Sequence, residues 1–214
     1  MTWKGFKDIR ATIEIDLKKN EEELWNSLDK DAKWGVNKAK KSKLKVKSCN
    51  DKKIWREFHK IYTKTCQYGK IVPLSLEKIK QGKLFGCFFE EKLIAGSVIK
   101  TKKRRVILFL NASNHEYLKY QPNNLLYWNL IRWSKKKDFK IFDLGGYQLN
   151  AKKGDKLYEI NRFKLRWGGE IKKYPLYSKN PLYILGRKII RNFSFIKNAR
   201  DNIKISMNKK KFKD

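Results

Sequence analysis

One lysine stands where a helix should be apolar. In the stretch KLYEINRFKLRWGG, residues 156–169, each residue of a helix advances about 100° around the axis. With Leu157 as origin, Ile160, Phe163 and Trp167 gather on one face, and Lys164 falls inside that face, between Leu157 and Ile160. Arg162 and Arg166 point elsewhere. A lysine within an apolar stripe either snorkels to water along its stem or faces a pocket. In a pocket its ammonium could stabilise a developing oxyanion or bind a phosphate. At a helix end stopped by Gly168 it could equally do no more than complement the dipole. Both readings stay open on spacing alone.

Two further groups could carry chemistry. Asp143-Leu144-Gly145-Gly146 ends a predicted strand over 140–144. The glycines suit close approach of a substrate to the backbone, or a turn that needs positive φ. Asp143 could hold a substrate amine or bond to neighbouring N–H groups. The loop Lys119-Tyr120-Gln121-Pro122-Asn123-Asn124 precedes a helix, whose N-terminus can attract an anion while Tyr120 contacts a substrate. Ordinary capping by Asn123 or Asn124 is the plainer alternative.

Familiar hydrolase, zinc-protease and phosphate-loop motifs are absent. The two histidines do not suggest a histidine-centred mechanism: His59 lies at the edge of a helical stripe and His115 in a polar loop. Cys49, Cys66 and Cys87 form no metal or redox spacing and fit a reducing compartment. Neither metal nor cofactor is expected.

The elements that must position these residues follow from periodicity. Thr12–Leu17 alternates as a half-buried strand. Asn20 caps a short helix opening on Glu21-Glu22-Glu23, and a basic helical stretch over 31–43 is expected to break near Gly35. Residues 44–48 suit an edge strand. Asp51 caps a long helix to about Thr65, and Ser75 a short one to about Gln81. Strands are predicted over 83–89 and 93–100, joined as a hairpin, and over 105–112, whose apolar run suggests burial on both faces. A helix from 123 or 124 to about 137 is apolar nearly all round. A strand over 170–176 and a basic amphipathic helix from Pro181 complete the chain. This order predicts an α/β (α+β) domain built on one mixed sheet.

Composition sets the class of partner. The 214 residues carry 53 Lys+Arg against 21 Asp+Glu, a net charge of +32, with 41% hydrophobic residues. That supports a real core. The charge suits tRNA or other nucleic acid, an anionic membrane surface or a phosphorylated substrate, or is solvated charge spread over every face. With no signal peptide and no run of 18 apolar residues, the expected location is cytoplasmic, at rest on a membrane face.

In order and spacing, TIEIDL (12–17), Glu23-Leu24-Trp25, Asn37-Lys38-Ala39-Lys40, QPNNLLYWNLIRWSKK (121–136), FDLGG (142–146), FKLRWGG (163–169) and EIKKYPLY (170–177) resemble the FemAB or FemX-like family. These are peptidoglycan-bridge aminoacyltransferases that draw on aminoacyl-tRNA. The resemblance spans roughly residues 10–180 and implies a GNAT-like mixed sheet flanked by helices, the second of the family's two domains. It implies a strand and basic helical segment over 1–50, the acyltransferase domain over 51–180 and a basic C-terminal helix and tail over 181–214. The first domain, which supplies much of the acceptor surface, is expected as a missing partner. Lys164 matches the family's reactive lysine after phenylalanine, so the resemblance makes it catalytic. Phe163, Asp143, Gly145, Gly146, Tyr120, Asn124 and Tyr68 become substrate-binding candidates, Tyr68 standing where relatives often carry an arginine that contacts acceptor phosphate. The implied partners are aminoacyl-tRNA and a lipid-linked or nucleotide-linked peptidoglycan precursor, and a lipid-linked acceptor would place the protein peripherally at the inner membrane surface. Two alternatives remain: a CoA-dependent N-acyltransferase of the GNAT superfamily, disfavoured because residues 114–124 hold no glycine, and a non-catalytic remnant binding nucleic acid or membrane.

Overall fold

The computed structural model describes residues 6–185. The elements run β1 (Phe6–Asp16), α1 (Glu21–Asn26), α2 (Lys30–Lys41), β2 (Lys45–Cys49), α3 (Lys52–Gly69), α4 (Leu76–Ile79), β3 (Lys83–Phe89), β4 (Lys92–Lys102) and β5 (Arg105–Ser113). A 3₁₀ turn over His115–Tyr120, α5 (Pro122–Lys136), β6 (Ile141–Tyr147), α6 (Lys156–Leu165) and β7 (Glu170–Ser178) follow. Residues 181–185 are helical, and the rest of the helix predicted from Pro181 lies outside the described residues. The predicted α/β class is observed as a seven-stranded mixed sheet, ordered β2-β3-β4-β5-β6-β1-β7, with helices on both faces. Every pairing is antiparallel except β5–β6.

Local chemistry places most element ends. Asn20 and Glu23 form a reciprocal capping box at α1. Asp29, Asp51 and Ser75 cap α2, α3 and α4 with their side chains. β1 is an inner strand between β6 and β7, so the residues before 50 share the sheet and the larger core with those after it. That core packs α1, α2, α5 and Trp167 on one face. The other face carries α3 and α4 through Trp55, Phe58, Tyr62 and Ile79. No helix among the described residues is long and apolar enough to cross a membrane.

Three local expectations change. The helix α2 continues unbroken through Gly35, because that glycine is a contact point rather than a breaker. A Cβ there would sit 1.8 Å from Asn124 Nδ2 and 2.6 Å from Asn124 Cγ on α5. Neither Asn123 nor Asn124 caps α5. It starts at Pro122, with Gln121 in the left-handed region before it. And β5 is only half-buried from Phe109 to Asn111, because one neighbour leaves it there.

The seating of α6 is graded along its length. Its C-terminal end is tied down: Arg166 pairs with Asp31 at 3.0 Å and Asp29 at 3.6 Å, its carbonyl accepts from Asp29 N–H, and Trp167 is fully buried. Leu157 and Ile160, which the apolar stripe predicted as packed, remain 43% and 40% exposed. Between these two regimes lies Lys164.

Replacing Gly35 with alanine should cost about 1–3 kcal/mol, the range for forcing extra volume into a packed contact. Chemical denaturation measures it. Gly35→Ala/Asn124→Ala should recover part of the loss, since the obstructing amide is gone. A double variant less stable than Gly35→Ala would show that the α2–α5 contact is not the cause.

Candidate active site

The parallel pairing of β5 and β6 covers three residue pairs, Arg105 with Ile141, Val106 with Phe142 and Ile107 with Asp143. Beyond them the strands part. The gap widens into a cavity of about 570 Å³ lined by Leu108–Asn111 of β5, Leu144–Gly146 of β6, Asn123 and Tyr127 of α5, and one side of α6. Unpaired strand edges, normally a liability, here offer backbone N–H and C=O groups to whatever enters.

Asp143 stands at the fork. Its Oδ1 accepts from Thr12 Oγ1 and, at 2.8 Å, from Gly145 N–H. Its Oδ2 accepts from Arg105 Nη1 at 3.0 Å, and the same guanidinium pairs with Glu14. The side chain is buried, so this carboxylate joins β1, β5 and β6 where β6 turns away. The turn itself needs Gly145, whose φ is +76°, and a Cβ there would lie 3.3 Å from Leu108 O.

Lys164 reaches the cleft from α6. Its Nζ donates to Gly146 O at 2.9 Å and lies 3.8 Å from the position of a Gly145 Cβ. Burial lowers its pKa below the ordinary lysine value, and the negative charge of Asp143 opposes that shift. Phe163, beside it, stands edge-on to Tyr127 at 5.2 Å and 78°. Burial pushes the Tyr127 phenol up.

Of the residues singled out in the sequence, Lys164, Phe163, Gly145 and Gly146 share the cavity wall, with Asp143 directly behind. Tyr68 lies near the α6 side: its carbonyl accepts from Lys156 Nζ at 3.4 Å, and Lys156 lines the cavity. Tyr120 is stacked on Phe89 at 4.9 Å, and Asn124 is buried against α2; neither lines the cavity. Sequence reasoning missed a polar chain along the β5 wall. Ser97 Oγ donates to Asn111 Oδ1 at 2.7 Å, Asn111 Nδ2 to Asn123 Oδ1 at 3.1 Å, and Asn123 Nδ2 to Ser113 Oγ at 3.2 Å. The available signal was Asn111, an amide within the apolar run RVILFLNA. Among the described residues no cluster of His, Cys, Asp and Glu could hold a metal ion.

The arrangement supplies a partly desolvated ammonium, a glycine edge without side chains and an aromatic wall in one cleft. It suits polarising a carbonyl or stabilising an oxyanion.

Residues 74–159, which include β5, β6 and the start of α6, match the family of acetyltransferase (GNAT) domains. No curated protein matches the chain. Among solved structures, FemX matches with a TM-score of 0.68 at 14% identity, covering 82% of this chain and 63% of FemX. L-PGS from Bacillus licheniformis matches at 0.62 and 9% identity, covering 87% and 67%. A C-terminal DUF2156 domain from Agrobacterium fabrum matches at 0.62 and 10%, covering 86% and 66%. The fold is that of a FemX-like GNAT domain, and the chain spans under two thirds of the FemX structure.

The Lys164 shift has a testable sign. A cation whose folded pKa lies below 10.5 binds fewer protons in the native than in the unfolded state over the window between the depressed value and 10.5. Its contribution to stability therefore rises with pH through that window, and its charge is a cost at neutral pH. Lys164→Met should raise Tm by a few degrees at pH 7, with the gain shrinking as pH approaches 10.5. Thermal unfolding across pH checks this, and competitive acetylation should show Lys164 reacting at lower pH than surface lysines. A lower Tm for the variant at every pH would contradict the assignment.

Proposed function

We propose that the protein is an acyltransferase, and specifically an aminoacyltransferase that moves an amino acid from aminoacyl-tRNA to an amine of a peptidoglycan-precursor peptide. The observation that carries this reading is the Lys164 ammonium, half-buried at the β5–β6 fork of a FemX-like fold.

In the proposed reaction, the neutral acceptor amine attacks the ester carbonyl of the aminoacyl-tRNA. The carbonyl π pair moves to oxygen, and Lys164 stabilises the resulting oxyanion. When that pair returns, the bond to the ribose oxygen breaks, and the proton lost by the amine ends on the ribose hydroxyl. An ester is already activated, so the chemistry does not demand a strong protein base. Gly145 and Gly146 would let the substrate approach the backbone closely. Phe163 and Tyr127 would form the wall that excludes water. Asp143 would hold the glycine turn and keep Lys164 charged. Tyr68 would meet substrate at the α6 side, while Tyr120 and Asn124 would act from behind by fixing the entry to α5. The net charge of +32 would hold tRNA phosphates.

The α5 N-terminus argues against CoA as donor. Pro122 brings no N–H, and those of Asn124 and Leu125 donate to Gln121 O at 3.1 and 3.4 Å. That leaves a poor cradle for a pyrophosphate. The likeness to L-PGS adds a second acceptor to assay, the phosphatidylglycerol headgroup hydroxyl, with the same donor and the same lysine.

Purified protein incubated with labelled aminoacyl-tRNA and a precursor peptide should transfer the label. Lys164→Ala should lower kcat by about 100- to 1000-fold, as for loss of one oxyanion donor, and acetyl-CoA should not replace the charged tRNA. Transfer from acetyl-CoA, or a fully active Lys164→Ala, would overturn the mechanism. Transfer to phosphatidylglycerol alone would keep the donor and change the acceptor.

A further inference from the structure

The end of α3 and the connection after it, Tyr68 to Pro73, present apolar side chains to solvent on a backbone that is not loose. Tyr68 is 63% exposed, Ile71 64% and Val72 87%, and Pro73 is exposed beside them. Both ends of the connection are pinned. At the α3 end, Lys70 takes the left-handed conformation, Lys70 N–H donates to Gln67 O at 3.0 Å, and Ile71 N–H donates to Cys66 O at 2.9 Å. At the other end, Leu74 N–H donates to the Tyr62 hydroxyl at 3.3 Å, Leu74 O bonds His59 Nε2 at 3.0 Å, and Leu74 packs on the smaller core. The Tyr68 ring is held as well, stacked on His115 at 4.1 Å. An apolar tip fixed in water gains nothing for the isolated fold, since each exposed methylene forgoes the stabilisation of burial.

The charge around the tip identifies its partner. Lys60, Lys64, Lys70, Lys78 and Lys80 are all exposed, and Glu77 is the sole acidic residue from 60 to 80. Apolar and aromatic side chains at a tip flanked by lysines are the pattern of a segment that enters the headgroup region while its cations bind anionic lipid. A protein partner matched to five lysines would have to be strongly acidic and apolar at once, whereas an anionic bilayer offers both by construction.

We infer that the end of α3 and the connection after it, Tyr68–Pro73, form a membrane-docking tip, with Ile71 and Val72 inserted among the headgroups of an anionic bilayer and the surrounding lysines on lipid phosphates. The docking does not depend on the transferase reading. It does have a geometric consequence for it: Lys156 links the Tyr68 carbonyl to the cavity wall, so a docked tip brings the α6 side of the cleft toward the membrane surface.

Vesicle co-sedimentation tests it. Wild type should bind phosphatidylcholine vesicles containing about 30% phosphatidylglycerol and bind pure phosphatidylcholine weakly. Ile71→Asp/Val72→Asp should weaken binding to the anionic vesicles at least about tenfold, with unchanged circular dichroism and Tm, since the tip is outside the core. Val72→Trp should tighten binding. Wild-type binding by the double aspartate variant would mean attraction by diffuse charge and overturn the inserted tip. Sedimentation velocity covers the other occupant: a dimer that the double variant dissociates, with vesicle binding unchanged, would assign the tip to a second copy instead.

Discussion

The Asp143 carboxylate is the joint on which the cleft depends. Three donors, from Thr12, Gly145 and Arg105, converge on it where β5 and β6 stop pairing, and Arg105 is shared with a second carboxylate, Glu14. A buried carboxylate is costly unless it is paired and fully hydrogen-bonded. Here the pairing makes use of that cost: the partners come from three different strands, so satisfying the charge holds three strands in register. Removing any one partner would leave charge stranded rather than simply loosen a contact. The same carboxylate orders the Gly145 turn through its N–H and acts at a distance on Lys164, offsetting part of the desolvation that lowers its pKa.

Once the sheet forks, α6 is the element with a divided task. Its C-terminal end is fixed by Arg166 on two aspartates of the α1–α2 region and by Trp167 in the core. Its N-terminal end leaves Leu157 and Ile160 uncovered at the sides of the cleft. Lys164 sits between, close enough to the fixed end to be aimed and close enough to the open end to meet a ligand. Burial at that place lowers its pKa, so holding the charge there carries a cost to the fold. The surface repeats the pattern at another scale. The pinned segment 68–73, from the end of α3 onward, keeps its apolar residues in water although the backbone around it is well satisfied.

Much of the fold was legible because its causes are local. Asn20 with Glu23, Asp51 and Ser75 announce helix starts through side-chain oxygens that satisfy N–H groups within three residues. The alternation in TIEIDL reports a strand because side chains repeat every two residues, and the apolar runs at 83–89, 93–100 and 105–112 report strands by their short length and apolar content. Gly35 was misread for the opposite reason. Propensity marks glycine as a helix breaker, but Asn124, 89 positions away, needs the space of its missing side chain. The half-buried centre of β5 was misread likewise, since an apolar run cannot say that its neighbour departs after Ile107.

For the candidate site, the sequence by itself determined that a lysine would lie on the apolar side of a short helix and that a Gly-Gly turn would follow Asp143, because helical angle and turn chemistry are properties of neighbouring residues. The tertiary structure decided what those residues do to one another. It brought Lys164 to Gly146 O, spent the Asp143 carboxylate on Thr12, Arg105 and Gly145, and sent Tyr120 and Asn124 into packing away from the cavity. It also created the cavity, which exists because two strands pair for three residues and then diverge. Such a divergence is a relation between segments more than thirty residues apart, and no local pattern encodes it.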